Sequence, residues 1–286
     1  MLGFSLLEAI ELHLPPGYKI RGKLGAGATS SVYLAVGATP TDRLAVKTMI
    51  LGSATDHRND LFLREMQTLE KLDHPRIPRI LGTGEAKGSL FFTMPYIDGE
   101  TLRQRLHRSG PLSFREALLI AHDIGSALDH AHGRGVVHRD VKPENIFISA
   151  EGAYLLDFGL AVTSDPESKF RASSVSGTPS YMSPEQATVG RTEGWRSDFY
   201  SLGLVIFEML TGKAPFRGSA KETMKERQTT APPDVRSLRA EIPEEIASIV
   251  RRTLASDPSM RYPTGGALVR AVDAVLEQLD LIDNRR

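Results

Sequence analysis

Val136-Val137-His138-Arg139-Asp140-Val141-Lys142-Pro143-Glu144-Asn145-Ile146-Phe147-Ile148 is the stretch on which the fold turns. Apolar, mostly β-branched residues bracket it, yet Asp140 and Asn145 sit inside, where a core rejects a carboxylate or amide that lacks a partner. Twelve residues past Asn145, Leu155-Leu156 leads straight into Asp157-Phe158-Gly159. Two short apolar strands therefore bring acidic and amide oxygens to one place. Hard oxygen donors of this kind suit Mg²⁺ on a phosphorylated ligand.

Written as a pattern, the stretch is H-R-D-x-K-x-x-N followed by D-F-G, and it resembles the eukaryotic-type protein kinase family. The resemblance implies an α+β, two-lobed protein kinase fold: a small antiparallel β lobe with one helix, and a larger, mainly α-helical lobe. Upstream, Leu24-Gly25-Ala26-Gly27-Ala28-Thr29-Ser30-Ser31-Val32 is similar to the family's glycine-rich loop. Backbone without Cβ atoms can approach phosphate oxygens and point N–H groups at them. Ser30 stands where a third glycine is usual, which predicts a somewhat stiffer phosphate lid.

Leu44 to Met49 reads as a strand, on which the resemblance assigns Lys47 to the α/β-phosphates. Residues 59–72 carry Leu61, Phe62, Met66, Leu69 and Leu72 at helical spacing, with Glu65 on the same apolar side. A carboxylate there needs a partner. The family supplies one: the resemblance pairs Glu65 with Lys47 and fixes both in an active arrangement.

Composition sets bounds. The chain has 286 residues, 41% of them hydrophobic, enough for one two-lobed domain or two separate ones. Its 35 basic residues balance 35 acidic ones, so no electrostatic footprint for nucleic acid is expected. Cysteine is absent, which excludes disulfides and thiolate chemistry. The eight histidines lack metal-ligand spacing, and solvated or capping roles are expected for His122, His130 and His132. The longest apolar stretch, Phe199 to Leu210, falls short of the ~20 residues of a membrane span and contains Ser201 and Glu208. Met1 to Leu14 lacks the basic start of a signal peptide. A soluble, cytoplasmic protein is expected.

Residues 1–17 read as an N-terminal extension with a short amphipathic helix, 18–97 as the small ATP-binding lobe, and 98–286 as the large catalytic and substrate-binding lobe. Strands are predicted within 18–36, 44–50 and 77–97. Pro95 to Gly99 marks the hinge by resemblance, with Met94 at the back of the adenine pocket and Pro95 to Ile97 against the base. Leu24, Gly25, Ala26, Gly27, Val32, Ala45, Lys47, Met94, Tyr96 and Ile97 are thus the candidate ATP contacts. Ser113-x-x-Glu116 is a capping box opening a helix to about His132, stopped by Gly133. Asp198 to Leu210 is apolar on nearly every face and closes at Gly212, as a helix buried in the large lobe would. Amphipathic helices are predicted over 242–255 and 264–280.

Between Gly159 and Pro184 lies a serine-rich segment ending in Gly177-Thr178-Pro179-Ser180-Tyr181-Met182-Ser183-Pro184-Glu185. Its end resembles the family's A-P-E, with Ser183 replacing alanine, so the segment is identified as an activation loop. Ser173, Ser174, Ser176 and Thr178 are its candidate phosphate acceptors, and Arg139 would meet the added charge of about −1.5 to −2. The resemblance pairs Glu185 with Arg261 and makes Asp198 the brace of the catalytic loop.

The same resemblance implies a mechanism. Asp140 orients the substrate hydroxyl, Lys142 steadies the γ-phosphate, and Asn145 with Asp157 holds Mg²⁺, Mn²⁺ being admitted. Lys142 favours serine or threonine substrates, and Thr178 agrees with that choice. Glu144 resembles a position that in some members favours basic residues before the target hydroxyl, whereas Thr101 lacks the acidic partner that often goes with it.

Ser183-Pro184-Glu185-Gln186-Ala187 and Ser197-Asp198-Phe199-Tyr200-Ser201-Leu202-Gly203 look most like bacterial serine/threonine kinases. Expected partners are ATP and proteins carrying Ser or Thr, with a homodimer for trans-autophosphorylation also compatible. Either a stand-alone enzyme or part of a longer chain with a membrane helix and sensor domain fits. Two rival classes are weighed. A pseudokinase scaffold would show degenerate chemistry, but Lys47, Glu65, Asp140, Asn145 and Asp157 are all in place. A small-molecule kinase would lack the long serine-rich segment and a counterpart of Arg261.

Overall fold

The structure is a computed structural model that describes residues 5–26, 30–49, 66–158, 162–163, 179–186, 194–216 and 218–283. The chain packs as two compact units, Met1–Asp73 with Pro78–Asp98, and His74–Ile77 with Gly99–Arg286.

The first unit is built on a five-stranded antiparallel sheet, β1 (Lys19–Ala26), β2 (Ser30–Val36), β3 (Arg43–Met49), β4 (Gly82–Ala86) and β5 (Ser89–Pro95), in the order β1-β2-β3-β5-β4. β4 and β5 are joined by Lys87-Gly88, both at positive φ (49° and 71°). That is the two-residue hairpin turn whose twist matches the flanking strands. Residues 77–81 were predicted as strand but precede β4. Pro78 has no N–H to give a ladder, and Ile77 makes only an isolated bridge to His74.

Helix α1 (Leu6–Glu11) begins at Ser5, whose hydroxyl accepts from the Glu8 N–H while the Glu8 carboxylate accepts from the Ser5 N–H. Its Ile10 is fully buried and joins Leu14, Ala35, Leu44, Val46, Ala86 and Phe91 in one core cluster. Residues 66–69 form helix α2 and bury Thr68 and Leu69.

The second unit holds helices α3 (Leu102–Ser109), α4 (Phe114–His132), α5 (Arg196–Thr211), α6 (Ala220–Thr229), α7 (Glu244–Thr253) and α8 (Gly265–Asp283). β6 (Gly99–Thr101), β8 (Ile146–Ser149) and β9 (Gly152–Leu155) form a small antiparallel sheet, and β7 (Val136–Val137) pairs with β10 (Val162–Thr163). α4 starts where the sequence says, with the Ser113 hydroxyl accepting from the Glu116 N–H. Glu116 does not complete the box: its carboxylate takes Arg105 instead. Every residue from Ser197 to Leu210 of α5 is buried, as a helix apolar on nearly every face requires. Gly203 lets α7 come close, since a Cβ there would lie 2.6 Å from Thr253 Oγ1. Gly212 ends α5 in the left-handed conformation, with its N–H donating to the Glu208 carbonyl.

Burial of Ile10 makes α1 part of the first unit's core. Ile10→Ala should lower its stability by about 2–5 kcal/mol, the usual cost of emptying such a site. A denaturant titration that shows less than ~0.5 kcal/mol, the range of surface changes, would mean α1 is dispensable.

Candidate active site

Two strands and a 3₁₀ turn set the geometry of the stretch around Asp140. β7 ends at Val137, Pro143–Asn145 forms the turn, and β8 begins at Ile146. Between them the backbone passes through Arg139 at φ +68°, a left-handed conformation that costs a non-glycine residue about 1–3 kcal/mol. Asp198, at the start of α5 and fully buried, holds this bend. Its Oδ1 accepts from the Arg139 N–H (2.8 Å), and its Oδ2 from the His138 N–H (2.9 Å) and His132 Nε2 (2.8 Å). Burial by itself raises the Asp198 carboxyl. The hydrogen bond from His132 and the His138 N–H outweigh it and hold the group below the usual aspartate value.

His138 is the second anchor. Its Nδ1 accepts from the Asp140 N–H (3.2 Å), so the ring is the neutral tautomer that donates from Nε2 to the Leu156 carbonyl (3.0 Å). The ring lies edge-on to Phe158 at 4.7 Å. One side chain thus ties the Asp140 loop to the strand that leads into Asp157. The Leu156 N–H donates in turn to the Asn145 carbonyl (2.8 Å), setting Asp157 next in chain to a peptide group anchored on Asn145. Asp157 is exposed and stands at φ +64°.

Around Asp140 the polar groups converge. Lys142 Nζ donates to Asp140 Oδ2 (2.5 Å), and Asn145 Nδ2 donates to the same oxygen (3.0 Å) and to the Asp140 carbonyl (2.9 Å). Asn145 commits its amide nitrogen to Asp140, so its Oδ1 is the atom that could serve a cation. Among the described residues no three His, Asp or Glu side chains cluster as a metal cage. The oxygens of Asn145 and Asp157 still fit a hard divalent cation, because Mg²⁺ takes one or two protein oxygens and completes its shell with phosphate and water.

In the first unit, strand register collects the other candidates. Gly25 pairs with Val32, Val32 with Lys47, and Lys47 with Phe92. Two residues along, Ala45 pairs with Met94. Paired residues share a face, so Val32, Ala45, Lys47 and Met94 line one side of the sheet, opposite the Ile10 core. Lys47 Nζ lies 5.8 Å from the Phe92 ring centroid. Leu24 and Ala26 are exposed on β1. Past the end of β5, Tyr96 carries the Arg43 guanidinium over its ring at 4.7 Å, and Ile97 is half-buried. Gly27, Glu65, Ser173, Ser174, Ser176 and Thr178 lie outside the described residues.

The ion pair expected of Glu185 and Arg261 is formed, fully buried and bidentate (2.6 and 2.9 Å). Arg261 also donates to the carbonyls of Ala255 (2.8 Å) and Arg196 (2.9 Å) and stacks over Tyr200. His132 departs from expectation: it is buried on Asp198 rather than solvated, a contact across 66 residues that helix periodicity does not encode. Glu144 is engaged within the chain by Arg103 Nε (2.8 Å), whose other nitrogens reach Glu208 (2.6 Å) and Tyr181 (2.5 Å). Thr101 caps α3 in a reciprocal box with Gln104.

Sequence reasoning passed over Arg227 and Gln186. Arg227 on α6 is buried and donates to the carbonyls of Met182 (3.0 Å) and Ser180 (2.6 Å). Between those two, the Tyr181 carbonyl accepts from Ser201 (2.7 Å). α6 is polar along most of its length, so nothing in the sequence sets Arg227 apart.

Removing one partner of the buried Glu185–Arg261 pair strands the other, so Arg261→Ala should cost about 3–5 kcal/mol in denaturant unfolding. A pH titration tests Asp198. Its depressed value stabilises the fold above about pH 3.9, the unfolded value, and that contribution is lost as pH falls through the lower folded value. The stability gap between the parent and Asp198→Asn should therefore narrow in acid. A gap independent of pH would show that the Asp198 charge does not matter.

Comparison with known proteins agrees with this geometry. Residues 18–271 match the protein kinase domain. Curated relatives include the serine/threonine-protein kinase PknE of Mycobacterium bovis, 37% identical over 266 residues (92% of this chain, 47% of PknE). Others are PknB of Mycobacterium leprae, 38% identical over 264 residues (90% and 42%), and PrkC of Bacillus subtilis, 36% identical over 250 residues (86% and 38%). The chain spans less than half the length of these relatives. With an antiparallel sheet unit, a helical unit and a match over nearly its whole length, this chain belongs to the protein kinase family.

Proposed function

We propose that the chain is an ATP-dependent protein serine/threonine kinase. The observation that carries this reading is the Asp140 carboxylate, held by Lys142 and Asn145 on a loop that Asp198 braces from below. The hydroxyl oxygen of the substrate attacks the γ-phosphorus, the bond to the β–γ bridging oxygen breaks, and ADP leaves with the electron pair. Asp140 orients the hydroxyl and accepts its proton. Lys142, within reach of Asp140, steadies the γ-phosphate, and Lys47 holds the α/β-phosphates with Glu65 as its partner. Asn145 and Asp157 would hold a divalent cation, Mg²⁺ with Mn²⁺ as a substitute, which would supply charge neutralisation for the phosphates.

Leu24, Gly25, Ala26, Gly27 and Val32 cover the nucleotide in this reading, and Ala45, Met94, Tyr96 and Ile97 contact the base. Lys142 and the names of the relatives support serine and threonine as acceptors. Ser173, Ser174, Ser176 and Thr178 are the proposed self-phosphorylation sites, with one copy acting on another. Use of ATP argues for the cytoplasm; among the described residues, no helix is long and apolar enough to cross a membrane.

Transfer of the ATP γ-phosphate to the protein itself and to a generic basic protein tests the proposal. Asp140→Asn should cut the rate by about 10²–10⁴-fold and leave ATP binding unchanged, since a positioned base is worth that much. Labelling that persists in Asp140→Asn would refute the assignment. A self-labelling rate per molecule that rises with protein concentration is expected for action between copies.

A further inference from the structure

The segment 180–186 is fastened along its length. Arg227 holds the carbonyls of Ser180 and Met182, Ser201 that of Tyr181, and the buried Arg261 holds the carboxylate of Glu185. Gln186 comes next, and its side chain leaves the segment. Its Oε1 accepts from the Ser183 N–H (2.8 Å), while its Nε2 donates to the Arg139 carbonyl (3.3 Å). The amide can sit only this way round, because a main-chain N–H must meet oxygen and a carbonyl must meet N–H.

Arg139 is the strained residue immediately before Asp140. Asp198 fixes its N–H, and Gln186 meets its carbonyl. The peptide plane that Gln186 grips is the one joining Arg139 to Asp140. Rotation of this plane swings the Asp140 N–H off His138 and displaces the carboxylate from Lys142 and Asn145.

We infer that Gln186 is a positioning residue for Asp140, transmitting the fixed position of segment 180–186 to the peptide plane that aims the carboxylate. The inference rests on the kinase reading above for its rate consequences, and on the hydrogen bonds alone for its structural ones. It assigns Gln186 no contact with substrate. A displacement near 1 Å remote from the reacting atoms can cost about 10²-fold in rate, which bounds the effect.

Two variants separate this role from simple support of the turn. Gln186→Met keeps length and volume but removes both polar ends. Gln186→Glu keeps the oxygen that Ser183 needs and turns a second oxygen, in place of the N–H, toward the Arg139 carbonyl. The expected result is that both lower kcat by roughly 10- to 100-fold with KM for ATP unchanged. Amide hydrogen exchange at residues 139–141 should speed up in both. Gln186→Glu restoring the parental kcat would overturn the inference, leaving Gln186 a local turn residue. Unchanged exchange at 139–141 overturns it as well, and this readout holds whether or not the protein shows transfer. An inactive parent with faster exchange in both variants would instead refute the kinase reading and leave the positioning role standing.

Discussion

One buried carboxylate organises the second unit. Asp198 sits in the first turn of α5, where the helix dipole favours negative charge, and accepts from His132 on α4 and from two successive peptide groups, those of His138 and Arg139. A charge removed from water is tolerated only when hydrogen bonds replace the lost solvation. Three donors do so here. The same three bonds join the end of α4, the start of α5 and the bend at Arg139, so the requirement for solvation and the requirement for placement are met by one set of atoms.

The helix that carries Asp198 extends this logic. α5 is buried along nearly its whole length, so it has no solvent-facing side on which to carry polar residues harmlessly. Two of its buried polar groups tie it to other segments. Ser201 holds the Tyr181 carbonyl, and Glu208 meets Arg103 and Tyr181. Burial against Glu208 drives the Tyr181 hydroxyl well above its ordinary value, and hydrogen bonds to Glu208 and Glu144 raise Arg103 despite its partial desolvation. The hydroxyl therefore stays protonated and donates to Glu208 at every physiological pH.

The sequence was most legible where local rules suffice. Ser113 and Gly133 bound α4, Gly212 ends α5, and the apolar run between Asp198 and Leu210 describes a helix with no exposed face. The motif around Asp140 was readable because its polar residues lie within a few positions of one another. Contacts made over long separations were not. Separations of 66 positions between His132 and Asp198, and of 45 between Arg227 and Met182, leave no periodic trace, since helix and strand periods relate only near neighbours. The Arg261–Glu185 pair spans 76 residues and was foreseen only through family resemblance. Residues 77–81 were misread because apolar content outweighed Pro78 in the reading, whereas in the ladder the missing N–H decides.

The two left-handed residues explain why so much hydrogen bonding converges on so short a stretch. Arg139 and Asp157 are both non-glycine residues at φ above +60°, each carrying a cost of about 1–3 kcal/mol. Such conformations persist only where their surroundings over-determine them. The peptide groups beside each are held at both ends: the N–H and carbonyl of Arg139 by Asp198 and Gln186, and the N–H and carbonyl of Leu156 by Asn145 and His138. His138 touches both systems, through the Asp140 N–H on one side and the Leu156 carbonyl on the other. Relaxing either strained residue would break bonds that fix the other, so the backbone at Asp140 and at Asp157 is set by one shared network.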